Sequence, residues 1–220
     1  MSHTIKKILL EFLSFMLHLW SSIYNIKMSQ RWNSYCDLWY TLWISNFLGR
    51  VGEDVLFSRH ILLQGEGHLN IMIGSHTRIA HHVVLGCWKS YGHVQNEHFS
   101  PQIVIGDNCH IGEFCHITAI NIIKIGDGLL TGRFVYIGDN AHGGLSMEEA
   151  DIPPVNRHLY SKGNIVIGKN VWIGDKATIL GGVKIGNNVI IGANSVVTHD
   201  LPDNCIACGV PCKVLKILEK

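Results

Sequence analysis

One stretch, Ile165–His199, restricts what this chain can become more than any other. Read in sixes from Ile167, it gives IGKNVW, IGDKAT, ILGGVK, IGNNVI, IGANSV and VTHDLP. The first slot holds Ile167, Ile173, Ile179, Ile185, Ile191 and Val197. The second is Gly168, Gly174, Gly186 and Gly192, broken by Leu180 and Thr198. The fifth is small or β-branched: Val171, Ala177, Val183, Val189 and Ser195. Apolar residues do not recur at helical spacing, so the run is not an amphipathic helix. A six-residue period held over six units predicts a parallel β-helix.

Each hexad then supplies one short strand and one corner, and three hexads close a triangular coil of about 18 residues. The lead Ile points inward and stacks on the lead residues of neighbouring coils. Each fully buried side chain of this kind contributes roughly 1.5–3 kcal/mol. Gly, Asn and Asp at the corners allow positive φ or a sharp turn. No coil buries its face alone, so stacking is compulsory.

The 220 residues suffice for one large domain or two small ones. At 47% hydrophobic and 16% charged, the chain is too apolar for disorder. A formal charge of +1 gives no basic footprint for nucleic acid. Cys109 and Cys115 take the fifth, inward slot of successive hexads and read as core. Cys205-x-x-Cys208 has no second CxxC and no nearby His pair, so it reads as packing together with Cys212. A reducing cytoplasm is the compartment this cysteine usage suggests.

Three regions are expected: a helical and aromatic cap over 1–50, the β-helix over 51–198, and a tail over 199–220. Ile5, Ile8, Leu9, Phe12, Phe15, Met16 and Leu19 recur at helical spacing, which predicts a helix over 5–26. Lys6 and Lys7 precede it as in a signal peptide or anchor. Glu11 and His18 interrupt the run, and no small-residue cleavage site follows. The uninterrupted apolar stretch is too short to span a bilayer. The first expectation is a helix packed on the β-helix or on another subunit; the second is a peripheral membrane contact. Trp32, Tyr35, Trp39, Tyr40, Trp43 and Phe47 suggest a second helix or an extended cover for the first coil. The hexads start near Val51 and break twice, at 86–104 and at 138–166. Loops of that length in a compact domain are usually functional or disordered. After Val197 the chain reads as a turn and a short basic C-terminal helix.

His142 follows lead residue Ile137 at the root of the longer loop. A rigid prism fixes that root while the loop folds over it. Imidazole titrates near neutral pH, so His142 is the candidate general base.

From Ile105 to Lys216 the chain resembles the hexapeptide-repeat O-acetyltransferases acting on galactosides, maltose, streptogramins and capsular or exopolysaccharide sugars. The residues that carry this are Asp139-Asn140-Ala141-His142 and IGKNVWIGDKATILGGVKIGNNVIIGANSVVTHDLPDNCIACGVPCKVLK. The resemblance implies a left-handed β-helix, an acetyl-CoA donor, no metal, a sugar or glycan acceptor and a homotrimer. It makes His142 the base that takes the proton from an acceptor hydroxyl. It gives Asp139 a part in orienting the imidazole or binding the acceptor, with a plain corner residue as the other reading. It places CoA along a groove near Trp172, Asp175, Ala193 and Thr198, with Lys213 and Lys216 toward the nucleotide phosphates. His199 stands where the family often has Lys, which weakens that phosphate contact. Trp88, Tyr91 and Tyr160 are candidates to stack on a sugar ring, and His116 and Asn121 to face the same cleft.

Two other classes share features of this sequence. A γ-class carbonic anhydrase uses the same prism with three His on zinc. Here His110 and His116 stand six apart where a closer pair is needed, and position 121 is Asn. A non-catalytic scaffold would have no reason to keep a His at the loop root.

Overall fold

The computed structural model describes residues 3–91, 98–144 and 147–219. Parts of both expected loops, 92–97 and 145–146, lie outside them. The lead residues build three parallel sheets. The first face stacks Arg50–Val51, Ile71–Ile73, Gln102–Ile105, Ile122–Ile125, Ile165–Ile167 and Lys184–Ile185. The second stacks Leu56–Phe57, Arg78–Ile79, His110–Ile111, Leu130–Thr131, Trp172–Ile173, Ile190–Ile191 and Cys205–Cys208. The third stacks Leu62–Gln64, Val84–Cys87, His116–Ala119, Tyr136–Gly138, Thr178–Leu180 and Val196–Val197. The chain visits the faces in that order, so the sheets wrap into a triangular parallel β-helix.

Register follows the hexads. Ile173 pairs with Thr131 and Ile191, and Ile179 with Ile137 and Val197. All six lead residues from Ile167 to Val197 are buried, and so are the fifth-slot residues from Val171 to Ser195. Cys109 and Cys115 fill the same slot lower down. Burial pushes both thiols above their ordinary value.

The corners correct one expectation. Positive φ falls in the fourth slot of the first five hexads, at Asn170 (54°), Lys176 (58°), Gly182 (79°), Asn188 (55°) and Asn194 (56°). The second-slot glycines serve close approach instead. A Cβ on Gly168 would lie 2.6 Å from the carbonyl carbon of Gly186 in the next coil. The third slot ties coils together: Asn187 accepts from Lys169 N–H at 2.8 Å, and Asp203 accepts from Asn187 N–H at 2.7 Å.

The N-terminal region forms α1 (His3–Ile23) and α2 (Ile26–Ile44). Asn25 separates them and caps α2, its side chain accepting from Met28 N–H at 3.0 Å. α2 lies against the first coil. Thr41 Oγ accepts from Phe57 N–H at 2.9 Å, and Tyr40 donates to the Ile61 carbonyl at 3.0 Å. Arg59 holds Asp37 at 3.0 Å. α1 buries none of its side chains, so it does not pack on the β-helix as expected. Among the described residues, no helix is long and apolar enough to cross a membrane.

The expected C-terminal helix is instead a strand, Lys213–Ile217, antiparallel to Cys205–Cys208. The last parallel strand offers an open row of N–H and C=O groups, which the tail satisfies.

Candidate active site

Both loops leave the prism at one corner, where the third face turns into the first. The strand Val84–Cys87 leads into the first loop and Tyr136–Gly138 into the second. His116–Ala119 lies between them, paired with both. The loops therefore flank one coil, and a cavity of about 310 Å³ opens there. Trp88, Tyr91, His116, Tyr136, Asn140 and His142 are among its lining residues.

His142 sits on a two-residue strand, Ala141–His142, antiparallel to Leu159–Tyr160 at the far end of its loop. That hairpin was not visible in the sequence, because its partners are a whole loop apart. Further out the loop ties itself down. Glu149 accepts from Gly144 N–H at 2.7 Å, and Arg157 Nε donates to the Ile152 carbonyl at 2.7 Å. His142 is exposed, and the Tyr91 ring meets it edge-on at 5.0 Å. Tyr91 in turn meets Trp88 edge-on at 5.9 Å.

His116 occupies the outward slot before lead residue Ile117. Tyr136 holds the same slot one coil on, and the two rings cross at 5.5 Å. Burial pulls the His116 imidazole below its ordinary pKa and pushes the Tyr136 phenol up. Nε2 of His116 is buried without a hydrogen-bond partner among the described residues. The Tyr136 ring folds over Gly138, where a Cβ would collide with its hydroxyl. Tyr136, Thr118, Asn140 and Gln64 were not singled out from the sequence. The outward slot before the lead Ile, counted one coil from His116, would have found Tyr136.

Asp139 has a different place from the one that orients a base. It is 1% exposed, and its carboxylate accepts from Ile120 N–H and Asn121 N–H, both at 2.9 Å. Asn140 Nδ2 adds a third bond at 3.3 Å. None of these bonds reaches His142. Burial outweighs the donors and pushes the Asp139 carboxyl above the usual range. The carboxylate thereby braces the corner of the neighbouring coil. Asn121 contributes its backbone to that brace and does not line the His142 cavity. Tyr160 lines a smaller neighbouring cavity of about 100 Å³ with Asp139, Asn140 and Lys162.

The residues expected to meet CoA lie elsewhere. Asp175 and Ala193 stack on successive coils where the second face turns into the third, and Asn194 N–H donates to the Asp175 carbonyl at 2.9 Å. The Asp175 carboxylate accepts from Arg133 N–H at 2.8 Å. Thr198 and His199 stand at the loop-bearing corner, two coils beyond Gly138, with Oγ1 2.7 Å from Nδ1. Trp172 is half exposed on the second face. Lys213 and Lys216 lie exposed on the last strand. None of these lines the His142 cavity. Among the described residues, no group of three His, Cys, Asp or Glu side chains is arranged to hold a metal ion.

Residues 164–199 match the family model "Bacterial transferase hexapeptide (six repeats)". The chain is 40% identical over 118 residues to the putative lipopolysaccharide biosynthesis O-acetyl transferase WbbJ of Escherichia coli K12, covering 52% of this chain and 60% of that protein. It is 37% identical over 122 residues to the galactoside O-acetyltransferase of the same strain, covering 50% and 55%. It thus spans little more than half the length of these relatives. Among solved structures, the Bacillus cereus N-acyltransferase AntD, crystallised with dTDP and coenzyme A, shares the fold. The TM-score is 0.63 at 21% identity, covering 81% of this chain and 89% of that one. A maltose O-acetyltransferase from Clostridium difficile 630 matches with a TM-score of 0.51 at 25% identity, covering 80% and 73%. With its hexads in one phase from Ile167 to Val197 and its coils in hexad register, the chain carries the bacterial transferase hexapeptide repeat over residues 164–199 and is similar to O-acetyltransferases over about half its length.

Proposed function

We propose that this chain is an acetyl-CoA-dependent O-acetyltransferase that acylates a hydroxyl of a sugar or glycan precursor, with His142 as general base. The observation that carries the reading is the cavity at the loop-bearing corner. It joins an exposed imidazole on a braced hairpin to aromatic rings suited to a sugar face. The similarity to WbbJ and to galactoside O-acetyltransferase supports the same acceptor class.

A sugar hydroxyl is almost wholly protonated at neutral pH. His142 would accept that proton as the oxygen attacks the thioester carbonyl carbon. The tetrahedral oxyanion then collapses, the C–S bond breaks, and the leaving thiolate takes the proton back from the imidazolium. Base assistance of this kind is worth about 10²–10⁴ in rate. Trp88 and Tyr91 would hold the acceptor ring, and neutral His116 would hydrogen-bond to it.

For the donor, AntD crystallised with coenzyme A supports a CoA site on this fold. Ala193 leaves its corner without a long side chain, which would let a pantetheine arm approach the backbone. Trp172, Thr198, Lys213 and Lys216 are exposed or half-exposed and free to meet it. These residues and His142 do not share a cavity within one chain, so we place the complete site between subunits of a homotrimer with left-handed prisms. Light scattering should give a trimer; an active monomer would remove that part of the reading.

The test is thiol release from acetyl-CoA across a panel of free sugars, nucleotide sugars and oligosaccharides. Acceptor-dependent release with a stoichiometric acetyl ester on the sugar is expected. Release independent of any hydroxyl acceptor, or acetylation of an amino sugar at nitrogen alone, would contradict it.

A further inference from the structure

α1 is amphipathic in a way that the β-helix does not use. At about 100° per residue, Lys7, Glu11, Ser14, His18 and Ser21 fall on one stripe roughly 100° wide. Apart from Lys6 near its start, the rest of the circumference is apolar. Phe12, Leu13, Phe15, Leu17 and Trp20 are 59%, 47%, 64%, 65% and 62% exposed. A coiled-coil seam uses a much narrower stripe. An apolar arc this wide with a thin polar stripe suits a helix lying flat in a bilayer interface.

Charge and the helix elbow point the same way. Residues 3–36 carry Lys6, Lys7, Lys27 and Arg31 against the single acid Glu11. Where α1 meets α2, a cavity of about 580 Å³ is lined by Lys27 and Arg31 together with Tyr24, Met28, Trp32 and Tyr35. Two cations among aromatic rings fit a lipid phosphate at the headgroup level, where Trp and Tyr favour one apolar and one wet end. Further along α2, Asp37, Tyr40 and Thr41 hold the first coil. The helical segment is therefore joined to the prism through the later part of α2.

We propose that the α1–α2 segment docks this protein on an anionic lipid surface, with α1 lying in the interface and Lys27 and Arg31 taking a lipid phosphate. This goes beyond the transferase reading and does not depend on it. It would hold the loop-bearing prism beside a membrane without spanning it.

The test is co-sedimentation of the full chain with vesicles of phosphatidylcholine alone and of phosphatidylcholine mixed with phosphatidylglycerol. The mixed vesicles should bind it, and added salt should weaken that binding. Each basic side chain near an anionic surface is worth about fivefold. Lys27→Gln with Arg31→Gln should therefore weaken binding to the mixed vesicles about thirtyfold, two such factors combined. Phe12→Ser with Leu13→Ser should abolish it. Because α1 buries nothing and Lys27 and Arg31 are exposed on α2, both variants should keep the wild-type melting temperature. A chain that stays in the supernatant with both vesicle types would overturn the proposal. So would large lipid-free oligomers that the Phe12→Ser, Leu13→Ser pair disperses, since another copy would then cover the arc.

Discussion

Two regions of the same prism are filled differently. From Ile165 to Val197 every inward slot is apolar or small, and the corners are short Asn, Asp and Gly turns. Around Thr118–His142 the period slips between the lead residues Ile117 and Ile125, and polar groups enter the interior. Thr118, Thr131 and Asp139 are buried, His116 is half-buried, and two loops replace turns at one corner. The regular region supplies a stiff stack whose stability is a sum of neighbouring contacts. The irregular region spends part of that stability on placing chemistry. A site can be uneven only because the coils on either side are even.

The largest effect should come from spoiling the even region. Ile173→Asp puts a charge between Thr131 and Ile191 in a slot that is fully buried. An uncompensated buried charge costs several kcal/mol, so the domain should not fold. Circular dichroism and a melting curve would read this, and a folded variant with unchanged melting temperature would break the register.

A smaller loss is expected at the corner. Asp139→Ala leaves the Ile120 and Asn121 N–H groups without their acceptor. Buried unsatisfied donors cost about 1–3 kcal/mol each, so a drop of about 2–6 kcal/mol should appear on denaturant unfolding. Loss of activity with unchanged stability would instead give Asp139 a direct role in the chemistry.

The smallest effect is one of pH. Burial holds the His116 pKa below its unfolded value of about 6.5. Between those two values the unfolded chain binds a proton that the native chain does not. Stability should therefore fall as pH drops from about 6.5 toward the native value, and be fully present above it. His116→Gln should make the melting temperature less sensitive to pH across that window. An unchanged slope would mean that His116 titrates as it does in the unfolded chain.

The same contrast explains what the sequence disclosed. The lead Ile column, the inward cysteines and both helices each leave a local period, so they were legible residue by residue. The Ala141–His142 hairpin, the Lys213–Ile217 strand and the Asp139 brace are pairings between distant segments and leave no period. The CoA candidates came from resemblance alone. The structure puts Asp175 into a coil-to-coil bond and sets all of them apart from the His142 cavity.

The account rests on His142 as the base. Because its side chain is exposed and carries no structural bond among the described residues, His142→Ala should leave the fold and CoA affinity unchanged. The direct measurement compares acceptor-dependent thiol release and CoA binding in the wild type and this variant. We expect release to fall by about 10²–10⁴ with binding intact. A variant that keeps more than about a tenth of the wild-type rate, above the floor that loss of a general base allows, would contradict the assignment and pass the role to His116.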